Sequence, residues 1–191
     1  MRKTILVAVV MLLCLAAPTW AQMSLKPGAA FRFTSAKDGV QEMQTSVVVE
    51  IPVHYLIPLT RNGEWNLQIV GGGGAGTDFS NSMFGLGAAY APEDVPNIII
   101  GLAFIADVTW PDAEFTKKVY ALGDDDIIPD ETWVTFGGEF ALDFKTPLGF
   151  SGSLIAGAGI GIRGKPDTYY VAFEVPVGPT GTEERVKRIA D

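Results

Sequence analysis

Between residues 43 and 57 the side chains change character at every step. Met43, Thr45, Val47, Val49, Ile51, Val53, Tyr55 and Ile57 form one set, and Gln44, Ser46, Val48, Glu50, Pro52, His54 and Leu56 the other. The first set is mostly large and apolar, the second mostly small or polar. A period of two belongs to a strand, not a helix. The pattern recurs with Trp65, Leu67 and Ile69; with Phe84, Leu86, Ala88 and Tyr90; and with Ile98, Ile100, Leu102, Phe104, Ala106 and Val108. It continues through Val134, Phe136, Phe140, Leu142 and Phe144, then Leu154 to Ile162, then Tyr169, Val171, Phe173, Val175 and Val177. With a weaker first strand around residues 31–35, the pattern predicts eight strands.

The intervening segments are of two kinds. Those at 58–64, 91–96 and 145–148 are short and each carries proline, and Asn62-Gly63 is a strong turn signal. The Gly-rich segment 72–81 and the long segment 111–131 read as loops, and the connections at 36–40 and 164–167 are brief. No heptad or domain boundary interrupts this hairpin rhythm.

Polarity decides what such a sheet closes around. A water-soluble barrel hides its apolar face and needs a charged exterior; a membrane barrel reverses the two. Here the second face is mostly Gly, Ala, Ser and Thr, with about one charge per strand, which suits the tight interior of eight strands better than a solvent surface. Aromatic residues gather toward both strand ends, Tyr55, Trp65, Tyr90, Phe144 and Phe150 near the short turns and Phe84, Trp110 and Tyr169 opposite, as in the girdles of membrane interfaces. Trp133 and Tyr170 break the alternation, and a bulge or a projecting strand end would account for them. The expected fold class is all-β, an antiparallel up-and-down transmembrane β-barrel of about eight strands.

The N-terminus adds a destination. Arg2 and Lys3 precede an apolar stretch from Ile5 to Ala17, and Pro18-Thr19-Trp20-Ala21 offers a cleavage site. That order is a secretory signal, too short for a membrane helix. The division is therefore residues 1–21 as signal peptide, 22–178 as barrel and 179–191 as a polar tail. Cys14, the sole cysteine, lies in the leader behind Leu12-Leu13, which is not a lipidation site, so the exported chain has no thiol chemistry. The whole chain has 14 Lys+Arg and 22 Asp+Glu; without Arg2 and Lys3 the cations fall to 12. Such an acidic chain argues against a nucleic-acid partner.

At this point the chain resembles the small eight-stranded outer-membrane barrels of the OmpA/OmpX type, over roughly residues 31–178. The resemblance rests on the leader, the alternating strands, and the short turns set against longer loops. It implies a location in the outer membrane of a Gram-negative-type bacterium, among its lipids. It further implies periplasmic termini and turns at 58–64, 91–96 and 145–148, and an extracellular loop at 111–131. Members of that type often end on an aromatic residue that the barrel-assembly machinery recognises. This chain runs on through Glu183-Glu184-Arg185 to Asp191, leaving Tyr169 to Phe173 as an internal signal.

Candidate chemistry is sparse. Gly159-Ile160-Gly161-Ile162-Arg163-Gly164 fits G-x-G-x-x-G, but a dinucleotide site needs a helix to follow, and here Lys165-Pro166-Asp167 and a strand follow. Gly71 to Gly74 lacks the Gly-Lys-Ser/Thr of a phosphate loop. His54 is the only histidine; some barrels of this size use one to acylate or deacylate lipid A at the outer leaflet, but His54 lies beside the turn at 58, the opposite end. One His and no Cys make a zinc site improbable. Asp124-Asp125-Asp126 with Asp130 and Glu131 makes the long loop acidic without EF-hand spacing. No cofactor and no catalysis are expected.

The remaining candidates are the inward charges, Glu50, Asp107, Glu139, Asp143, Arg163 and Glu174. Charge inside a membrane protein is costly unless paired or wet. These residues form either a hydrogen-bonded plug or a narrow cation-preferring pore. The expected role is structural or in surface interaction, with loop 111–131 the first place to seek an extracellular partner. The pore, and a soluble periplasmic lipocalin-like barrel binding an apolar ligand, are the alternatives.

Overall fold

The computed structural model describes residues 22–35, 43–123, 125–128 and 132–177. The expected leader, the tail at 179–191, the connection at 36–40, Asp124, Asp130 and Glu131 lie outside these residues. The strand segments are β1 (Gln22–Leu25), β2 (Gly28–Ser35), β3 (Gln44–Glu50), β4 (Val53–Pro58), β5 (Trp65–Gly76), β6 (Phe79–Tyr90), β7 (Ile98–Pro111), β8 (Trp133–Lys145), β9 (Ser151–Gly161) and β10 (Asp167–Glu174). One helix, α1 (Ala113–Tyr120), separates β7 from β8.

These ten segments form eight barrel strands. Leu25 pairs with Val53 and Gly28 with Glu50 in one unbroken register, so β1 with β2 is the first strand and β3 with β4 the second. The gaps fall at Pro27 and Pro52, which have no N–H to give the ladder. Each later strand pairs antiparallel with its neighbour, and β10 closes the ring on β2, from Asp167↔Ser35 to Glu174↔Gly28. Closure leaves no free edge. The alternating pattern foretold this architecture correctly.

The large apolar set faces outward. Phe31, Val47, Val49, Phe84, Leu86, Leu102, Phe104, Ile160 and Val171 are exposed, while Ser46, Asn66, Gln68, Asn81, Thr135 and Thr168 are buried in the lumen. Trp65 packs against Tyr90 with ring centres 4.8 Å apart and planes tilted by 38°, and Phe150 contacts Phe144 and Phe173, at the short-turn end. Trp110 and Tyr169 are exposed toward the other end. Tyr55 departs from this set, being only 9% exposed.

Three expectations need correction. The Gly-rich segment is not a loop: β5 continues to Gly76, β6 begins at Phe79, and only Thr77 and Asp78 turn between them. Gly72 and Gly74 are needed because the second strand presses on them around its proline. A Cβ on Gly72 would lie 2.7 Å from both the Ile51 oxygen and the Pro52 Cα, and one on Gly74 2.8 Å from Glu50 Cγ and Val48 Cγ1. Nor does β8 contain a bulge. Its register with β7 runs without a slip from Trp133↔Thr109 to Phe144↔Ile98, and Trp133 and Tyr170 simply point inward. Segment 111–131, finally, is not all loop.

Its first part is α1, capped by Asp112, whose Oδ1 accepts from the Phe115 N–H at 2.7 Å. Phe115 and Val119, one helical turn apart, are buried against Val48, Phe79 and Trp133. The helix thus lies over the loop end of the lumen and seals it with apolar contacts.

The glycine crowding has a measurable consequence. Gly72→Ala should lower stability by about 1–3 kcal/mol, because its neighbours are backbone atoms that cannot move aside. Gly138→Ala, whose Cβ would meet only the Ala103 oxygen at 3.9 Å, should leave the urea-unfolding midpoint unchanged when tryptophan fluorescence follows the transition. Equal shifts for both would refute the packing argument.

Candidate functional site

The lumen holds the protein's buried polar chemistry, in two layers. In the upper layer, nearer the loops, Arg32 of β2 is 1% exposed. Its Nε and Nη2 donate to Glu50 Oε1 at 3.0 and 2.7 Å. Its Nη1 donates to Asp107 Oδ2 on β7, and Asn81 Nδ2 donates to Asp107 Oδ1 at 3.2 Å. The guanidinium carbon sits 5.7 Å from the centre of the Phe79 ring and 5.3 Å from that of Tyr170. A planar cation thus has carboxylates at its edge and aromatic faces near it, the arrangement that suits a buried Arg. Tyr170 in turn donates from its hydroxyl to Glu139 Oε2 at 2.5 Å. Its ring lies over Gly157, where a Cβ would approach the Tyr170 Cζ to 2.2 Å.

The lower layer, nearer the short turns, is built on Lys26. Its Nζ reaches both oxygens of Asp143 on β8, at 2.7 and 2.8 Å, and Ser153 donates to the same carboxylate at 2.5 Å. Close by, Gln68 Nε2 lies 3.4 Å from His54 Nδ1, and His54 Nε2 lies 3.7 Å from Glu174 Oε2. Ala30, Ala141, Ile155 and Ala172 pack with Tyr170 as one apolar cluster on this lumenal face. A cavity of about 20 Å³ lies among Ser24, Lys26, His54, Gln68 and Ser153, room for about one water molecule.

Of the inward charges expected from sequence, Glu50, Asp107, Glu139 and Glu174 are buried in the lumen, and Asp143 is mostly so. Arg163 is not. It is exposed in the single 3₁₀ turn Ile162–Gly164, with φ at 54°. Strand β9 ends at Gly161, where the chain turns and Asp167 Oδ1 accepts from the Gly161 N–H, so the alternation stops before it reaches Arg163. The cations that do enter the lumen, Lys26 and Arg32, were missed. Their signal is present: Gly28, Ala30, Arg32 and Thr34 share one parity, opposite Phe31 and Phe33; Arg32 lies inside the strand expected at 31–35, whereas Lys26 lies before it.

Among the described residues, then, both lumenal Lys/Arg side chains come from the first barrel strand, and the carboxylates come from β3, β7, β8 and β10. The ion pairs Arg32–Asp107 and Lys26–Asp143 cross the lumen instead of running along a hairpin. The described residues contain no group of three His, Cys, Asp or Glu placed to hold a metal ion. His54 has Glu174 and Gln68 beside it but no serine bonded to it, and it sits at the short-turn end.

Removing the guanidinium should leave two buried carboxylates without a counter-charge. Arg32→Met is therefore expected to cost about 3–5 kcal/mol. Adding Glu50→Gln and Asp107→Asn to Arg32→Met should recover much of that loss, read from urea-unfolding midpoints in detergent micelles. A mild single variant with no recovery in the triple would show that the cluster carries no such strain.

No family model and no curated protein matches the sequence. Solved structures do match. Neisserial surface protein A (NspA) aligns with a TM-score of 0.51 at 14% identity, over 82% of this chain and 97% of that one. Ail, the attachment invasion locus protein of Yersinia pestis, solved in complex with the heparin analogue sucrose octasulfate, aligns with a TM-score of 0.49 at 9% identity, over 82% of this chain and 99% of that one. At such identities the likeness to NspA speaks for the fold. Strand number, closure and the polarity of the two faces agree with it: this chain has the fold of the small eight-stranded outer-membrane β-barrels.

Proposed function

We propose that this protein is an outer-membrane barrel with a closed lumen and a structural or surface-interaction role, and that it carries out no catalysis. The observation that carries the reading is the Arg32 cluster. One guanidinium joins the first strand to Glu50 and, across the barrel, to Asp107, and lies over the rings of Phe79 and Tyr170. A cation path would have to pass this paired and aromatic-flanked charge, and then α1 above it. The plug is therefore favoured over the cation-preferring pore. The exposed apolar exterior favours lipid over water around the barrel and disfavours the soluble lipocalin-like alternative, whose polarity is opposite. Outer-membrane lipids and the barrel-assembly machinery are the partners this reading requires.

The surface role falls to the loop end. There α1 turns Glu114 and Lys118 outward while Phe115 and Val119 anchor it below. Asp125, Asp126 and Ile127, which is 93% exposed, follow it in the long connection. This segment, seated through Phe115 and Val119, is where an extracellular partner would make contact.

Two measurements bear on the reading together. Cell fractionation should recover the protein in the outer membrane, with heat-modifiable migration on a gel. Purified protein in a planar bilayer should give no single-channel steps. Recovery in the soluble periplasm without detergent would end the membrane reading. Cation-selective steps would replace the plug with the pore.

A further inference from the structure

The wall of this barrel is not uniform. Three adjacent strands carry a proline at nearly the same height: Pro27 in the first, Pro52 in the second and Pro176 just beyond β10. The registers place all three around Lys26. Lys26 falls opposite Pro52 on one side, where its N–H donates to the Pro52 oxygen at 2.9 Å. It falls opposite Pro176 on the other, since Val175 N–H donates to Pro27 O at 2.9 Å and Val177 N–H to Leu25 O at 2.7 Å. In an antiparallel ladder each of the pairs Lys26/Pro52 and Pro27/Val175 would return a second bond. Proline has no N–H, so the carbonyls of Lys26 and Val175 lose the partner the ladder would give them. Below this point the described residues join β1 to the last strand at the bridge Leu25↔Val177, whereas the β7–β8 ladder runs unbroken from Ile98↔Phe144 to Thr109↔Trp133.

This weak place coincides with the seam where the first and last strands meet. It also coincides with the cavity, since Lys26 and Pro176 both line it. The first strand is tied at this height by the side chain of Lys26, held by both oxygens of Asp143 on β8 across the lumen. We infer that the short-turn half of the closing seam is a built-in opening point of the barrel, and that the Lys26–Asp143 ion pair is its latch. When the pair releases, β1 parts from the Val175–Val177 segment and opens the cavity beside His54 and Gln68 sideways, while the Arg32 cluster above keeps the upper seam shut. The latch is independent of whether the lumen conducts, because neither state requires a continuous path.

Residue-resolved amide hydrogen exchange on the whole protein in detergent micelles tests this. In the unaltered chain the amides of Lys26, Val175 and Val177, although each is hydrogen-bonded, should exchange at least about tenfold faster than those of paired β7 and β8 residues, because the two missing return bonds let this stretch open locally. Lys26→Met should speed those three further and leave β2, Tyr170 and β7 unchanged. Pro52→Val, which restores a donor toward the Lys26 carbonyl, should slow them. Uniform protection around the barrel, or acceleration by Lys26→Met that spreads equally to β7, would overturn the inference. Because the readout is local exchange, a variant that unfolds as a whole shows itself by loss of protection everywhere. A silent bilayer with uniform exchange would sink the latch and leave the plug standing.

Discussion

Eight strands enclose too little space for water to solvate a charge, yet this lumen contains several. The structure depends on how that conflict is resolved. Arg32 is the central answer: its guanidinium satisfies Glu50 and Asp107 together and lies over the rings of Phe79 and Tyr170. A single cation therefore fixes the spacing of the first, second and fifth barrel strands. Tyr170 passes the constraint on to Glu139, and so to the sixth. Lys26 repeats the arrangement lower down with fewer partners. Buried ion pairs often contribute little net stability; here they fix which strands face one another across the lumen.

The wall adapts to these contents. Tyr170 needs Gly157 beneath its ring, and the proline in the second strand needs Gly72 beside it. The run Gly72 to Gly74 is thus a requirement of close approach within a strand. Outside, no such accommodation is needed, and the side chains are the large apolar residues that alternation leaves there.

Much of this was legible in the sequence, because a period of two writes inside and outside directly onto the chain. The strand number, the antiparallel closure and the inverted polarity all follow from it. What escaped notice has a common cause. Alternation carries information only where a strand continues, so the errors gathered at strand ends. Arg163 was assigned inward by extending β9 two residues past its turn. Lys26 escaped because Pro27 hides the length of the first strand, and Arg32, inside the expected 31–35, because five residues show too little alternation to set its parity. The glycines of β5 resembled a loop because no side chain marked their parity. Helix α1 was short, and its signal reduced to Phe115 and Val119 four residues apart after Asp112. The pairing of particular charges across the lumen was never in the pattern at all, since it depends on the curvature of the closed ring.

The placing of both lumenal cations on the first strand bears on the order in which the barrel can be completed. Chains emerge N-terminus first, so Lys26 and Arg32 precede every carboxylate they neutralise. Sheet grown from β3 to β10 alone would line its inner face with Glu50, Asp107, Glu139, Asp143 and Glu174 and nothing to balance them. Such a sheet repels itself and favours an open, hydrated curl over a sealed tube. Only the return of the earliest segment to the latest supplies the missing charge. Ring closure is thereby coupled to the pairing of Glu50, Asp107 and Asp143, and a barrel that lacked its first strand would leave all three without a counter-charge.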